Sequence, residues 1–289
     1  MGMNKEEAYA QLVQAVQEDY RQRTHEDDEK KGRPYVAACA YEGKQINLWS
    51  YWQGSLDAKI LILGQDWGNY NPDNRKLDCI MQENFRKMDA GEDAGYFDNV
   101  PDKIISATDR NLIELVKSLD ASYDIRNRKY KDLFFSNLCL GYRNEGYSGG
   151  FRRKWLTEDV KYLVGYDENG EHIHGLLEII KPEIVICLGK EVYRVVAKAL
   201  GKAVSSAELK RYYQKLDEGS NFVKPEGWGW SFRVYGMAHP GNMGMANRKV
   251  NSMHKIDNIS GFELQFYDWQ KVNDWSRKGQ SDIEYGSVM

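Results

Sequence analysis

The segment Lys59-Ile60-Leu61-Ile62-Leu63-Gly64-Gln65-Asp66-Trp67-Gly68 constrains this chain more than any other. Its apolar run is short, continuous and rich in β-branched residues, with Asp57 before it and Gly64 after it. Such a run reads as a strand buried on both faces, which requires a sheet held between two helical layers. Gly64 lets the backbone turn sharply and leaves Gln65 and Asp66 at the carboxyl end of the strand. In open α/β sheets, ligands bind at that edge. A core strand followed by a solvated turn is the better explanation of an isolated G-x-D. A second strand end carrying His239-Pro240-Gly241 moves the balance toward a site.

Three more runs have the same character. Leu133-Phe134-Phe135 ends in Ser136-Asn137, Ile184-Val185-Ile186-Cys187-Leu188 ends in Gly189-Lys190, and Phe232 to Met237 delivers His239. Helical patterns alternate with them. Leu12, Val13 and Val16 mark an amphipathic helix over 3–22. Leu112, Leu115, Val116 and Leu119 stripe a helix over 110–119, with Asp109 as its expected N-cap. A helix closes at 176–180 before Pro182, and others are expected over 190–200, 208–216, 247–255 and 262–275. A short strand or extended arm is expected at 35–41, and Leu48 with the aromatics Trp49, Tyr51 and Trp52 reads as packing. The alternation predicts an α/β three-layer sandwich: a central, mostly parallel four-stranded sheet with helices on both faces. One domain over 1–289 is expected, with an N-terminal helical and aromatic extension over about 1–56.

A chain of 289 residues is near the upper size for one hydrophobic core. No apolar stretch approaches the roughly 18 residues a membrane span needs, so no membrane partner is expected. The first residues lack the apolar centre of a signal peptide, and the cytoplasm is the default location. A monomer is the simplest expectation. The four cysteines, 39, 79, 139 and 187, form no C-x-x-C pair, and Cys139 and Cys187 sit inside apolar runs as small buried hydrophobes. His172 and His174, with no further ligand in view, read as structural or solvent-facing rather than as a metal site. Phosphate-cradling and dinucleotide glycine motifs, a G-x-S-x-G elbow and an H-E-x-x-H helix are all missing from the sequence.

Net charge is −3 with a pI near 6.0, so bulk charge does not attract nucleic acid. A local patch still can, because phosphates respond to charge within about 8–10 Å. The segment 141–155 mixes Tyr142, Arg143, Asn144, Tyr147, Phe151, Arg152, Arg153 and Lys154 with glycines. That composition suits a nucleic-acid backbone with stacked bases, and an ordinary exposed loop explains it equally. Carboxyl ends of parallel strands share one edge, so Asp66, Asn137, Lys190 and His239 are expected to converge. A carboxylate, an amide and an imidazole in one cleft suit reading a planar polar ring while stabilising charge separation beside it.

On these residues the chain resembles the uracil-DNA glycosylase superfamily, from about Asp57 to about Arg248. Gly64-Gln65-Asp66 is similar to the first motif of the familiar uracil glycosylases, while Trp67-Gly68 departs from their Pro-Tyr-His continuation. A glycine there resembles the mismatch-specific and iron–sulfur branches. Phe134-Phe135-Ser136-Asn137 resembles the second strand, and Leu176 to Val196 is similar to the third strand and helix of the iron–sulfur branch. Ala238-His239-Pro240-Gly241-Asn242-Met243 resembles the final motif, where a His-Pro-Ser opens the loop that probes the minor groove. The cysteines do not match a cluster's ligands, so no iron–sulfur cofactor is expected, nor any other. The base-stacking aromatic has no counterpart around Ile104 to Asp109, and Gly68 would widen the pocket.

The resemblance implies a monofunctional DNA glycosylase acting on uracil or a larger modified base flipped out of DNA. Asp66 would orient the water and stabilise the cationic sugar, and His239 would donate to the departing base. Asn137 would read the base edge in a pocket formed with Gly64, Gln65, Trp67 and Gly68. Met243 would fill the gap in the base stack, on a loop with Gly241 and Asn242. Arg143, Arg152, Arg153, Lys190, Arg248 and Lys249 are the expected DNA contacts. Two other classes stay open: a catalytically silent member of the fold that binds nucleic acid or protein, and a small-molecule hydrolase.

Overall fold

The computed structural model describes residues 4–22, 36–37, 54–65, 80, 83–84, 87, 92, 94–95, 97–142, 153–165, 172, 174–253 and 258–286. Within these, the side chains of 17, 20–22, 36–37, 104, 141–142, 153–155 and 274–286 lie outside the description. In chain order the elements are α1 (Lys5–Gln22), β1 (Val36–Ala37), β2 (Ile60–Gly64), α2 (Ala107–Leu119), β3 (Leu133–Asn137) and β4 (Gly141–Tyr142). There follow α3 (Arg153–Val164), α4 (Leu176–Ile180), β5 (Ile184–Leu188), α5 (Lys190–Ala199), α6 (Ser206–Lys210) and α7 (Tyr212–Asp217). The last are β6 (Phe222–Val223), β7 (Arg233–Met237), α8 (Asn242–Val250) and α9 (Gly261–Gly286).

The four apolar runs are the four parallel strands, in the order β3-β2-β5-β7. The sheet has five strands rather than the expected four, because the two-residue β6 adds to β7 in antiparallel register. Its side chains are only half-buried, and a pair of residues that short carries no periodic signal. Every residue of β5 is buried, as are four of the five in β2, β3 and β7. Neighbouring residues on a strand point to opposite faces, so both faces of the sheet are covered. The helices pack as two sets: α3 touches α5 and α4, and α4 touches α1, while α9 touches α2 and α8. The class is the three-layer α/β arrangement. β1 and β4 pair antiparallel with Val36 opposite Tyr142, outside the main sheet.

Local chemistry moved several boundaries. The N-cap of α2 is Ser106, whose Oγ accepts the Asp109 N–H at 3.0 Å and donates to the Asp109 carboxylate at 2.8 Å. Asp109, read as the cap, is instead the third helical residue, the acidic half of an S-x-x-D pattern. The helix expected over 208–216 is two short helices broken at Arg211. The closing helices run over Asn242–Val250 and Gly261–Gly286, so the first starts five residues earlier than expected. Cys139 and Cys187 are buried, as expected.

Candidate functional site

The parallel strands register so that Gly64 lies opposite Asn137, and Leu188 lies opposite Met237. The chain leaves β2 for β3 on one side and later returns to β5 on the other. The order of strands therefore reverses between β2 and β5, and the crevice beyond their carboxyl ends is where such sheets bind ligands. Gln65 follows β2 there, and Gly189 and Lys190 follow β5. With strands about 4.8 Å apart, the backbones bearing Asn137 and His239 stand roughly 14 Å apart across three spacings.

Asn137 leans over Gly64. A Cβ built on Gly64 would lie 2.1 Å from Asn137 Oδ1, so only glycine lets the amide take this position. The chain then runs on in register, with the Leu138 N–H donating to Gly64 O at 3.0 Å and the Cys139 N–H to Gln65 O at 2.9 Å. Gly64→Ala is expected to force the Asn137 amide away while leaving the strand paired. Affinity for a ligand that this amide orients in the crevice should fall by roughly 10-fold or more with melting temperature lowered only slightly, the signature of a lost orienting hydrogen bond. A variant with unchanged ligand affinity would separate the Asn137 amide from recognition at the crevice.

At the other end of the crevice the His239 turn is held from several sides. Asn111 Nδ2 donates to Pro240 O at 2.8 Å, and Gln265 Nε2 donates to His239 O at 3.1 Å. The end of β7 is held too, since Met237 O accepts from Tyr212 Oη at 2.7 Å and from the Gly189 N–H at 2.7 Å. Gly189 adopts φ +111, closed to most side chains, and this turn brings it beside His239 Cβ. Most telling is the Gly241 N–H, which donates to His239 Nδ1 at 3.0 Å. Nδ1 is thus an acceptor, and the proton of the neutral ring sits on Nε2. His239 is exposed as a residue, yet the protein packed around its ring removes enough water to lower its pKa from 6.5. At neutral pH the turn presents an uncharged imidazole with an Nε2–H donor.

Asp109 is a titratable neighbour that pattern reading had assigned only a capping role. Its helix carries Thr108, whose Oγ1 lies 2.9 Å from a Cβ built on Gly241, and Asn111, which holds Pro240. Burial raises the Asp109 pKa from 3.8 to about 6, against the opposing hydrogen bond from Ser106. The Ser106-x-x-Asp109 spacing was visible in the sequence, but the burial was not. A folded pKa above the unfolded one means that ionisation costs stability: nothing below 3.8, the full amount above about 6. Asp109→Asn is expected to gain on the order of 1–3 kcal/mol at pH 8 and nothing at pH 3.5. Urea unfolding at the two pH values checks it.

The remaining site residues divide. Asp66, Trp67, Gly68, Arg143 and Arg152 lie outside the described residues, as do Trp49, Tyr51 and Trp52. Arg153 begins α3, and its side chain lies outside the description. Lys190 opens α5 at the crevice, half-buried. Gly241 is the N-cap of α8, so Asn242 and Met243 form the first turn of a helix rather than a loop. Both are exposed, and Met243 is 78% exposed. Lys249 is exposed as well. Arg248 is corrected: its side chain is 1% exposed and paired with Asp217 and Asp268, so it makes no surface available to DNA.

No family model matches the chain, and a search of curated proteins found no match. Among the described residues, no helix is long and apolar enough to cross a membrane.

Proposed function

We propose that this chain is a DNA N-glycosylase, a divergent member of the uracil-DNA glycosylase superfamily acting on uracil or a bulkier modified base. The observation that carries the reading is the His239 turn, which offers a neutral Nε2–H donor beside the crevice. When an N-glycosidic bond breaks, its electron pair leaves with the base, and negative charge grows on the base oxygen. A donor fixed in advance stabilises that charge without reorganising. A neutral imidazole does so without attracting the ground-state base as a cation would. Asn137, held over Gly64, supplies a complementary edge for the base. Asp66 is assigned the water, whose oxygen bonds to the sugar carbon while the carboxylate takes or holds its proton. Extrusion of the base costs a few kcal/mol, and exposed Met243 at the start of α8 is suited to filling the vacated stack.

A binding-only reading gains from one finding. With Arg248 buried, the proposed cationic rim is smaller on a chain of net charge −3. Incubation with a panel of oligonucleotides carrying modified bases, single- and double-stranded, decides between the two. Release of one free base class supports the glycosylase. Salt-dependent binding with no release from any member leaves the binding reading, and neither binding nor release removes nucleic acid from the account.

A further inference from the structure

We propose that His172, His174 and Glu178 form a surface site for a divalent transition-metal ion, zinc foremost. The chain leaves α3 at Gly165 and returns at Gly175, where the two backbones meet: a Cβ on Gly175 would lie 2.3 Å from Gly165 N. His172 and His174 stand just before this closed neck, and Glu178 is in the helix just after it. His172 Nε2 lies 2.9 Å and 3.1 Å from the two Glu178 carboxylate oxygens. The His172 and His174 rings are 5.4 Å apart between centroids and nearly perpendicular, at 85°. One ligand atom from each of the three residues lies within 4.8 Å of the others.

A surface hydrogen bond between His172 and Glu178 accounts for two of these residues. The third donor is what exceeds it. Zinc binds imidazole nitrogen and carboxylate oxygen at about 2.0–2.2 Å in a tetrahedron, which places ligand atoms roughly 3.3 Å apart. The His172–Glu178 pair already has nearly that spacing, and His174 reaches it by moving its exposed side chain. The ligands are two imidazoles and one carboxylate, a set that suits zinc and not magnesium or calcium, which prefer oxygen throughout. Three protein ligands leave a fourth position for water or an external group. The bound ion would tie His172 and His174 to α4, through residues other than those of the His239 turn. This inference does not depend on the glycosylase reading.

The test uses the full chain, stripped of metal with a chelator and titrated with Zn²⁺ in competition with a chromophoric zinc indicator. One equivalent should bind, and magnesium in excess should not displace it. His172→Ala with His174→Ala should lose at least the roughly 10–100-fold that removal of even an outer partner costs. Glu178→Ala should lose affinity by a similar factor. Zinc should also raise the melting temperature of the parent and not of the double variant, while the two melt alike without metal. No stoichiometric zinc in the parent, or equal affinity in parent and double variant, overturns the proposal.

Discussion

His239→Ala is expected to slow base release by roughly 10²–10³-fold, the amount commonly lost with one preorganised donor to a developing anion. Single-turnover release from a saturated oligonucleotide is the measurement, because it isolates bond breaking from binding and product loss. Affinity for the substrate should change little, since the Nε2–H bond strengthens only as charge builds on the base. The pH profile adds a second reading of the same group. The Gly241 N–H can donate to Nδ1 only while that nitrogen is unprotonated, and the lowered pKa keeps it so at neutral pH. A folded pKa below 6.5 means the native turn binds fewer protons than the unfolded chain. Its contribution to stability is therefore complete above pH 6.5 and is lost as pH falls through the folded value. Activity should hold from alkaline pH down past 6.5 and then fall together with melting temperature. A His239→Ala protein that releases base as fast as the parent would remove the imidazole from the proposed reaction. Asp66 would then have to carry the chemistry alone.

The parts legible in the sequence were those whose physics is local. Four apolar runs between polar turns had to be strands covered on both faces, and β2, β3, β5 and β7 are those strands. Their polar ends had to share an edge once the strands were parallel, which is why Asp66, Asn137, Lys190 and His239 were expected there; Asn137, Lys190 and His239 do follow or end strands of the sheet, and Asp66 lies outside the described residues. Non-local facts were out of reach. Asp109 acquires its pKa from what packs on it, and no spacing reports that. The Gly241 contact to Nδ1 depends on how the chain folds back after Pro240. His172 and His174 gained a third partner only when α4 placed Glu178 beside them. Arg248 misled for the same reason: a basic residue seven positions past the His-Pro-Gly motif looks like a phosphate contact until the carboxylates that bury it are seen.

Arg248→Met is expected to destabilise the fold by about 3–5 kcal/mol, the usual cost of leaving buried charges without their partner. Arg248 Nε donates to Asp268 Oδ2 at 2.6 Å, and Nη2 donates to Asp268 Oδ1 at 2.9 Å and to Asp217 Oδ1 at 2.6 Å. Asp217 also accepts the Met253 N–H at 2.6 Å and the Ser252 hydroxyl at 3.1 Å. Burial acts to raise the Asp217 pKa, but the Met253 N–H and Arg248 outweigh it and hold the carboxyl below 3.8. Its stabilising contribution is therefore present above 3.8 and lost as pH falls through the lower folded value. This cluster joins α7, α8 and α9, and α9 in turn holds the His239 carbonyl through Gln265. Urea unfolding at pH 7 should show the lower midpoint in Arg248→Met, with partial recovery when Asp217→Asn and Asp268→Asn are added. The salt dependence of oligonucleotide binding, measured where the variant stays folded, should match that of the parent. Lys249→Gln, one residue on and exposed, should do the reverse, lowering the salt slope by roughly 0.7–0.9 with stability nearly unchanged. An Arg248→Met protein as stable as the parent but weaker on DNA would return Arg248 to the nucleic-acid surface.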